Sequence, residues 1–326
     1  EYEAAKLLIC AGSEAVVPPI PGVKENLGEF VLTNREVLEL PEVPKEFVII
    51  GGGVIGLEMA AYYCTAGSHV TVVEMLDHIA GPTDREISTM LQKEYAKKGV
   101  DFKLSTKCLA VEKGKVVCEA DGKKFDVPAD KVLLSIGRRA STKGIGLENI
   151  GVEMNRGVII VDEQGRTNVE GVFAAGDCIG KVMLAHTAYR EAEVAVNTIL
   201  GKKDKMRYNA NPSVIYTHPE VACVGLTEED AKAQGIEYEV KKLSMRYAGR
   251  FVAENEGEDG LCKILVGKQH RNILGVHMIG NSSSEAVWGA ALMIEQEMRV
   301  RDAKEIIFPH PTVSEIIRET IWEFKD

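Results

Sequence analysis

Phe47-Val-Ile-Ile50-Gly51-Gly52-Gly53-Val54-Ile55-Gly56 joins a continuous apolar run to a glycine turn, and its flanks settle how it folds. An unbroken run of this kind is the pattern of a strand buried on both faces. Leu57 to Ala66 has helical composition and stops at Gly67, and His69-Val-Thr-Val-Val-Glu74 is a second strand ending in an acid. Strand, glycine turn, helix and strand form one βαβ unit. Gly51 permits the tight turn, Gly53 lets backbone approach a pyrophosphate, and Gly56 lets helix and strand pack closely. The pyrophosphate would rest on the positive end of the helix. Eighteen residues past Gly56, Glu74 is placed to accept hydrogen bonds from the two ribose hydroxyls of an adenosine. It would repel a 2'-phosphate, and no Arg or Lys follows within several residues, so NAD is favoured over NADP. Glu58 reads as a residue of the helix's first turn, where a negative charge suits the dipole.

Outward from this unit the chain changes texture several times. Before it lie the apolar strand Lys6-Leu-Leu-Ile-Cys-Ala, the turn Gly12-Ser13 and a Pro-rich loop at Pro18 to Gly22. A strand without a partner cannot be a whole domain. After it come a helical pattern at residues 84 to 98, an antiparallel meander between Val100 and Leu134, and a closing strand from Lys131 to Ile136. From about 139 the chain is Gly-rich, with strands expected at Gly157 to Val161 and around Gly171 to Asp177, and an Ala-rich helix from about 186 to 200. Past 208, strands are expected near Ser213 to Tyr216, Glu237 to Leu243, Leu261 to Val266 and Ile273 to Ile279. Helices are expected near Ser284 to Gln296 and Thr312 to Phe324.

A length of 326 residues implies two or three cores. With 39 basic against 49 acidic residues the net charge is -10, which argues against a nucleic acid or an anionic membrane as partner. The chain opens at Glu1-Tyr2-Glu3 with no Met and no charged-then-apolar leader, and no apolar run approaches a membrane span. These features point to a soluble, cytoplasmic protein. The seven cysteines are scattered, without metal-ligand or disulfide spacing. They read as small buried hydrophobes, and no metal site is expected.

Two further places carry chemistry. Asp177, beside Gly176 at the end of a strand, could accept from a polyol or ribose, or simply cap the following turn. His310 stands between Pro309 and Pro311, which stiffen its loop and remove two donors. Glu315 lies five residues on. Thr312-Val-Ser-Glu315 is a capping box for the last helix, and Glu315 is equally a group that could orient the His310 ring.

Together these phrases resemble the pyridine-nucleotide disulfide oxidoreductases, a family of flavoproteins. The resemblance runs along essentially the whole chain. Val48 to Glu58 fits the family's NAD phrase, including a glutamate that in the family lies near the nicotinamide. Ile136-Gly137-Arg138 matches a Gly-Arg phrase, with Gly137 on the NAD side and Arg138 on the FAD side. Leu8-Ile-Cys-Ala-Gly12-Ser13 is similar to the family's Ala-Thr-Gly-Ser turn. Gly176-Asp177 resembles its second flavin motif, and Met183-Leu184-Ala185-His186 the segment under the flavin ring. His310 to Glu315 matches its catalytic dyad, although Phe308 stands where a further His is often found. The resemblance implies an α/β fold with a doubly wound parallel-sheet NAD domain, a partial FAD domain and an α+β dimer-interface domain. The divisions would fall at residues 1–45 (remnant of the FAD domain and linker), 46–138 (NAD), 139–207 (FAD-contacting) and 208–326 (interface).

It implies a homodimer that oxidises dihydrolipoamide with NAD through FAD, serving a lipoyl-bearing protein of a 2-oxoacid dehydrogenase or glycine cleavage complex. Glu74 disfavours the NADPH-dependent members. The family's first FAD turn and its Cys-x4-Cys pair are not found in these residues. The chain thus resembles about the last two-thirds of such an enzyme and is expected to be inactive without the rest. The alternatives are a non-catalytic NAD-binding and dimerisation module, or another NAD(P)H-dependent disulfide reductase of the same family.

Overall fold

The computed structural model describes residues 3–325; Glu1 and Tyr2, where the leader reading falls, lie outside them with Asp326. The chain divides into two compact units. One combines the segment ending at Val16 with Ile136–Tyr208, and the other combines Val17–Ser135 with the chain from Asn209 onward.

In the second unit the glycine-turn strand (Glu46–Ile50) lies in a five-stranded parallel sheet. Its neighbours are His69–Val73 on one side and Lys131–Leu134 on the other, with Asp101–Lys103 and Val31–Leu32 at the edges. Phe47 and Ile49 are among its fully buried side chains, each contributing about 2 kcal/mol of transfer free energy. The first strand of the expected meander belongs to this parallel sheet. The remaining three, Lys107–Glu112, Lys115–Ala120 and Lys123–Pro128, form the antiparallel meander.

The same unit carries a five-stranded antiparallel sheet ordered Ser213–Ile215, Val221–Gly225, Ile273–Ile279, Leu261–Gly267 and Tyr238–Ser244. Helices Ser283–Glu295 and Glu315–Trp322 pack on it around a core that includes Met245, Phe251, Ile264 and Ile316. The strand Val221–Gly225 has no counterpart in the sequence reading. Its four-residue apolar run follows a Pro-Glu turn and is too short to show a period. The last helix begins at Glu315 and not at Thr312, because only half of the capping box forms. Glu315 accepts from the Thr312 amide at 2.9 Å, while the Thr312 hydroxyl turns back to the Pro309 carbonyl.

In the first unit Leu7–Ile9 pairs in parallel with Val172–Ala174, and Ser13–Ala15 pairs antiparallel with Arg138–Ala140. The helix Ala185–Ile199 completes it. The strand expected over Gly157 to Val161 is only the two-residue rung Val158–Ile159 of a small hairpin. All seven cysteines are free thiols. Four are buried, as a hydrophobe would be, but Cys10 is exposed at the end of its strand. Among the described residues no helix is long and apolar enough to cross a membrane.

Candidate functional site: a glycine turn, a polyol cradle and a histidine dyad

The glycine turn takes its shape from contacts no side chain would permit. Gly51 has φ +108°, in the region open mainly to glycine, and its amide bonds the Val73 carbonyl at 2.9 Å. A β-carbon built on Gly56 would stand 2.3 Å from Gly51 O and 3.1 Å from Ile49 Cγ2. Gly53 is the reverse case: a β-carbon there meets nothing within 4 Å, so its missing side chain leaves open space above the turn. Gly53 also caps the helix Val54–Ala66, and as a glycine it has no side chain to accept the first amides. The next helix, Arg85–Lys97, has its amides capped by Asp84. Uncapped amides at a helix start, open space beside them and the positive dipole end fit the pyrophosphate of a dinucleotide.

Glu74 lies at the rim of this turn. Its Oε2 accepts from Gly52 N at 2.6 Å and its Oε1 from Leu76 N at 2.8 Å. Glu58 falls in the second turn of the helix, not the first, because the helix starts at Val54. Its Oε1 accepts from Tyr216 N at 2.9 Å, and burial pushes its carboxyl above the usual range. Sequence reasoning offers no hint of this partner, which follows the strand Ser213–Ile215.

In the first unit three of the singled-out residues meet. The Ser13 hydroxyl donates to Asp177 Oδ2, and Arg138 donates through Nε to Ser13 Oγ at 2.7 Å and through its terminal nitrogen to Ser13 O at 2.8 Å. Gly12 and Gly176 flank this cluster at φ +70° and +79°. Sequence reasoning missed what holds the turn. The Gly176 amide donates to the buried Glu191 at 2.7 Å, and Tyr208 donates to the other Glu191 oxygen at 2.8 Å. Burial raises the Glu191 pKa. Gly137, at φ +122°, accepts from Val16 N within this unit. Met183 and Leu184 are half-buried and lead into the exposed Ala185 at the helix start. The acceptors of Asp177 and the side-chain-free turns around it suit a hydroxylated chain such as a flavin's.

His310 is 79 % exposed, and its Nδ1 lies 3.0 Å from Glu315 Oε1 and 3.2 Å from Oε2. The Thr312 amide, then His310, holds the Glu315 carboxyl below its usual pKa. An ionised partner puts the ring proton on Nδ1. Nε2, without a partner among the described residues, then presents a lone pair outward. The His310–Pro311 peptide is cis.

A dinucleotide turn, a polyol cradle and an oriented histidine define a nucleotide-dependent oxidoreductase architecture. The chain belongs to the pyridine nucleotide-disulphide oxidoreductases: that family's model matches residues 1–192, and the model of its dimerisation domain matches residues 211–321. It is 39 % identical over 324 residues to a mitochondrial dihydrolipoyl dehydrogenase of Caenorhabditis elegans, covering 97 % of this chain and 65 % of that protein. It is 38 % identical to dihydrolipoyl dehydrogenase 3 of Pseudomonas putida, covering 97 % of this chain and 68 % of the relative. Among solved structures, LpdA of Mycobacterium tuberculosis superposes with a TM-score of 0.89 at 26 % identity, over 98 % of this chain and 70 % of that one. The chain thus spans about two thirds of the length of the proteins it matches.

Proposed function

We propose that this chain supplies the NAD site, part of the FAD site and the acid–base group of a dihydrolipoamide dehydrogenase. The observation that carries the proposal is His310, whose Nδ1 is held by an ionised Glu315 while Nε2 faces out as a base. His310 would take a proton from a dihydrolipoamide thiol of a lipoyl-bearing partner, leaving a thiolate to attack a disulfide. That disulfide would lie on a second subunit across a homodimer formed through residues from about 208 onward. When bound, FAD and NAD carry the electrons from the dithiol as a hydride equivalent. Gly51, Gly53 and Gly56 would seat the NAD pyrophosphate, Glu74 its adenosine ribose, and Glu58 and Gly137 the nicotinamide end. Gly12, Ser13, Arg138, Asp177 and the Met183-Leu184-Ala185 segment would face the flavin.

A second reading has one specific observation in its favour: no two of the seven cysteines are closely spaced along the sequence, and the pair that meets across adjacent strands, Cys108 and Cys118, are free thiols whose pKa burial pushes up. On that reading the chain is an NAD-binding and dimerisation module. Two measurements on the purified chain separate the possibilities. Under the proposal it shows no NAD-linked dihydrolipoamide oxidation by itself and gains it when a polypeptide bearing the redox disulfide and FAD is supplied. No gain on complementation, with NADH binding near about 1 μM, would leave the module reading.

Glu74→Ala gives a further test of the cofactor assignment. Removing a carboxylate that would face a 2'-phosphate should shrink the preference for NADH over NADPH by about tenfold or more, read by titration with both. An unchanged preference would mean that Glu74 serves only the Gly52 and Leu76 amides.

A further inference from the structure

Lys263 is a charged residue in the middle of an interface strand, yet its side chain is 3 % exposed. Its ammonium reaches three carboxylates: Glu228 at 2.7 Å, Asp84 at 2.8 Å and Glu86 at 3.3 Å. Burial pulls the lysine pKa down, but the hydrogen bonds that Lys263 donates to Asp84 and Glu228 outweigh it and carry the value above the ordinary one. Opposite it across the strands stands His277, 1 % exposed. Its Nε2 donates to Leu226 O at 2.8 Å, and its Nδ1 has no partner among the described residues. Burial lowers the His277 pKa, so the ring stays neutral and adds no charge against the lysine.

Asp84 is the informative partner. One carboxylate oxygen caps the helix Arg85–Lys97 by accepting from Glu86 N at 3.0 Å and Ile87 N at 3.3 Å, and the other receives Lys263. Immediately before Asp84 runs the loop that began at Glu74, and this loop is stitched onto the glycine turn. Ala80, at φ +63°, donates its amide to Gly52 O at 2.8 Å. Thr83 N bonds Ala80 O at 3.2 Å. Ile79 is buried and packs so close that a β-carbon on Gly52 would stand 3.3 Å from its Cγ2. One end of the loop is therefore fixed by Glu74 and the other by the bond from Asp84 to the interface sheet.

We propose that Lys263, a residue of the dimerisation domain, is a positioning residue for the adenosine end of the NAD site, acting through Asp84 on the loop between Glu74 and the following helix. The inference rests on the reading of the glycine turn as an NAD site. It means that the interface sheet sets the shape of the nucleotide site, so the two are built as one mechanical piece. A charged anchor suits this task because its geometry is directional, whereas an apolar contact between loop and sheet would tolerate sliding.

The test is calorimetric titration of the chain with ADP-ribose, which carries only the adenosine half of the ligand. Lys263→Met alone leaves Asp84 buried without its counter-charge and can unfold the chain. The paired variant Asp84→Asn with Lys263→Met keeps an acceptor for the helix amides and leaves no fully buried charge unpaired, since Glu228 and Glu86, which also lose the lysine, both reach solvent. In this paired variant ADP-ribose affinity should fall about tenfold while circular dichroism and the cooperative melt remain native. Glu228→Gln, which disturbs the same ion cluster but leaves Asp84 on Lys263, should stay within about twofold of the unaltered chain. A folded paired variant that binds ADP-ribose as the unaltered chain does would overturn the inference, as would an equal loss in Glu228→Gln. Failure of the unaltered chain itself to bind ADP-ribose overturns the NAD reading, and the inference with it.

Discussion

His310→Gln is expected to lower NAD-linked dihydrolipoamide oxidation by about 100-fold or more, measured on the enzyme that unites this chain with FAD and a redox disulfide. Glutamine can still offer an N–H to Glu315, so the loop and the first turn of the last helix keep their geometry. What it lacks is the basic lone pair that Nε2 presents. Because the histidine side chain is 79 % exposed, no core packing is lost and the variant's stability should match the parent's. The prediction therefore separates chemistry from structure. Loss of rate at constant melting temperature assigns proton transfer to the ring, while a near-normal rate leaves His310 as a surface residue and removes the main support for the proposed activity.

Gly56→Ala carries the largest expected effect on folding. The added carbon would lie 2.3 Å from the backbone oxygen of Gly51, with Ile49 Cγ2 and Ser135 Oγ at 3.1 and 3.2 Å. Backbone cannot swing aside as a flexible side chain could, so helix and strand must separate. A loss of about 3 kcal/mol or more is expected in urea unfolding. Gly53→Ala is the paired control within the same turn: its φ is -77°, and the new carbon meets nothing within 4 Å. It should fold with parental stability yet bind NADH more weakly, because the carbon fills the space a pyrophosphate would use. If Gly56→Ala unfolds within about 1 kcal/mol of the parent, the close packing of strand and helix is not what fixes this turn.

These glycines illustrate what sequence can disclose. Strand, turn, helix and acid lie within one local stretch, and each residue's reason for being there is a backbone constraint acting over a few positions. His310 and Glu315 were legible for the same reason, being five residues apart. Glu191 and Lys263 were not. Glu191 looks like any acid on an Ala-rich helix until the Gly176 amide and Tyr208 close on it. Lys263 looks like a routine polar position in a strand, and its partner Asp84 lies 179 residues away. Val221–Gly225 failed for a further reason: a central strand covered on both faces loses the alternation by which strands are recognised. Partnerships fixed by tertiary closure leave no periodic trace.

The unit that holds the Ser13–Asp177 contact is assembled from stretches 164 residues apart. During synthesis at about 5–20 residues per second, its opening strand must wait on the order of ten seconds or more for the strand that pairs with it. Closing so long a loop carries an entropic penalty that local contacts do not repay in advance. The intervening residues 17–135 carry a sheet of their own that can form meanwhile. Expression at lowered temperature, or with chaperones that shield an unpaired strand, should raise the yield of folded chain for that kinetic reason.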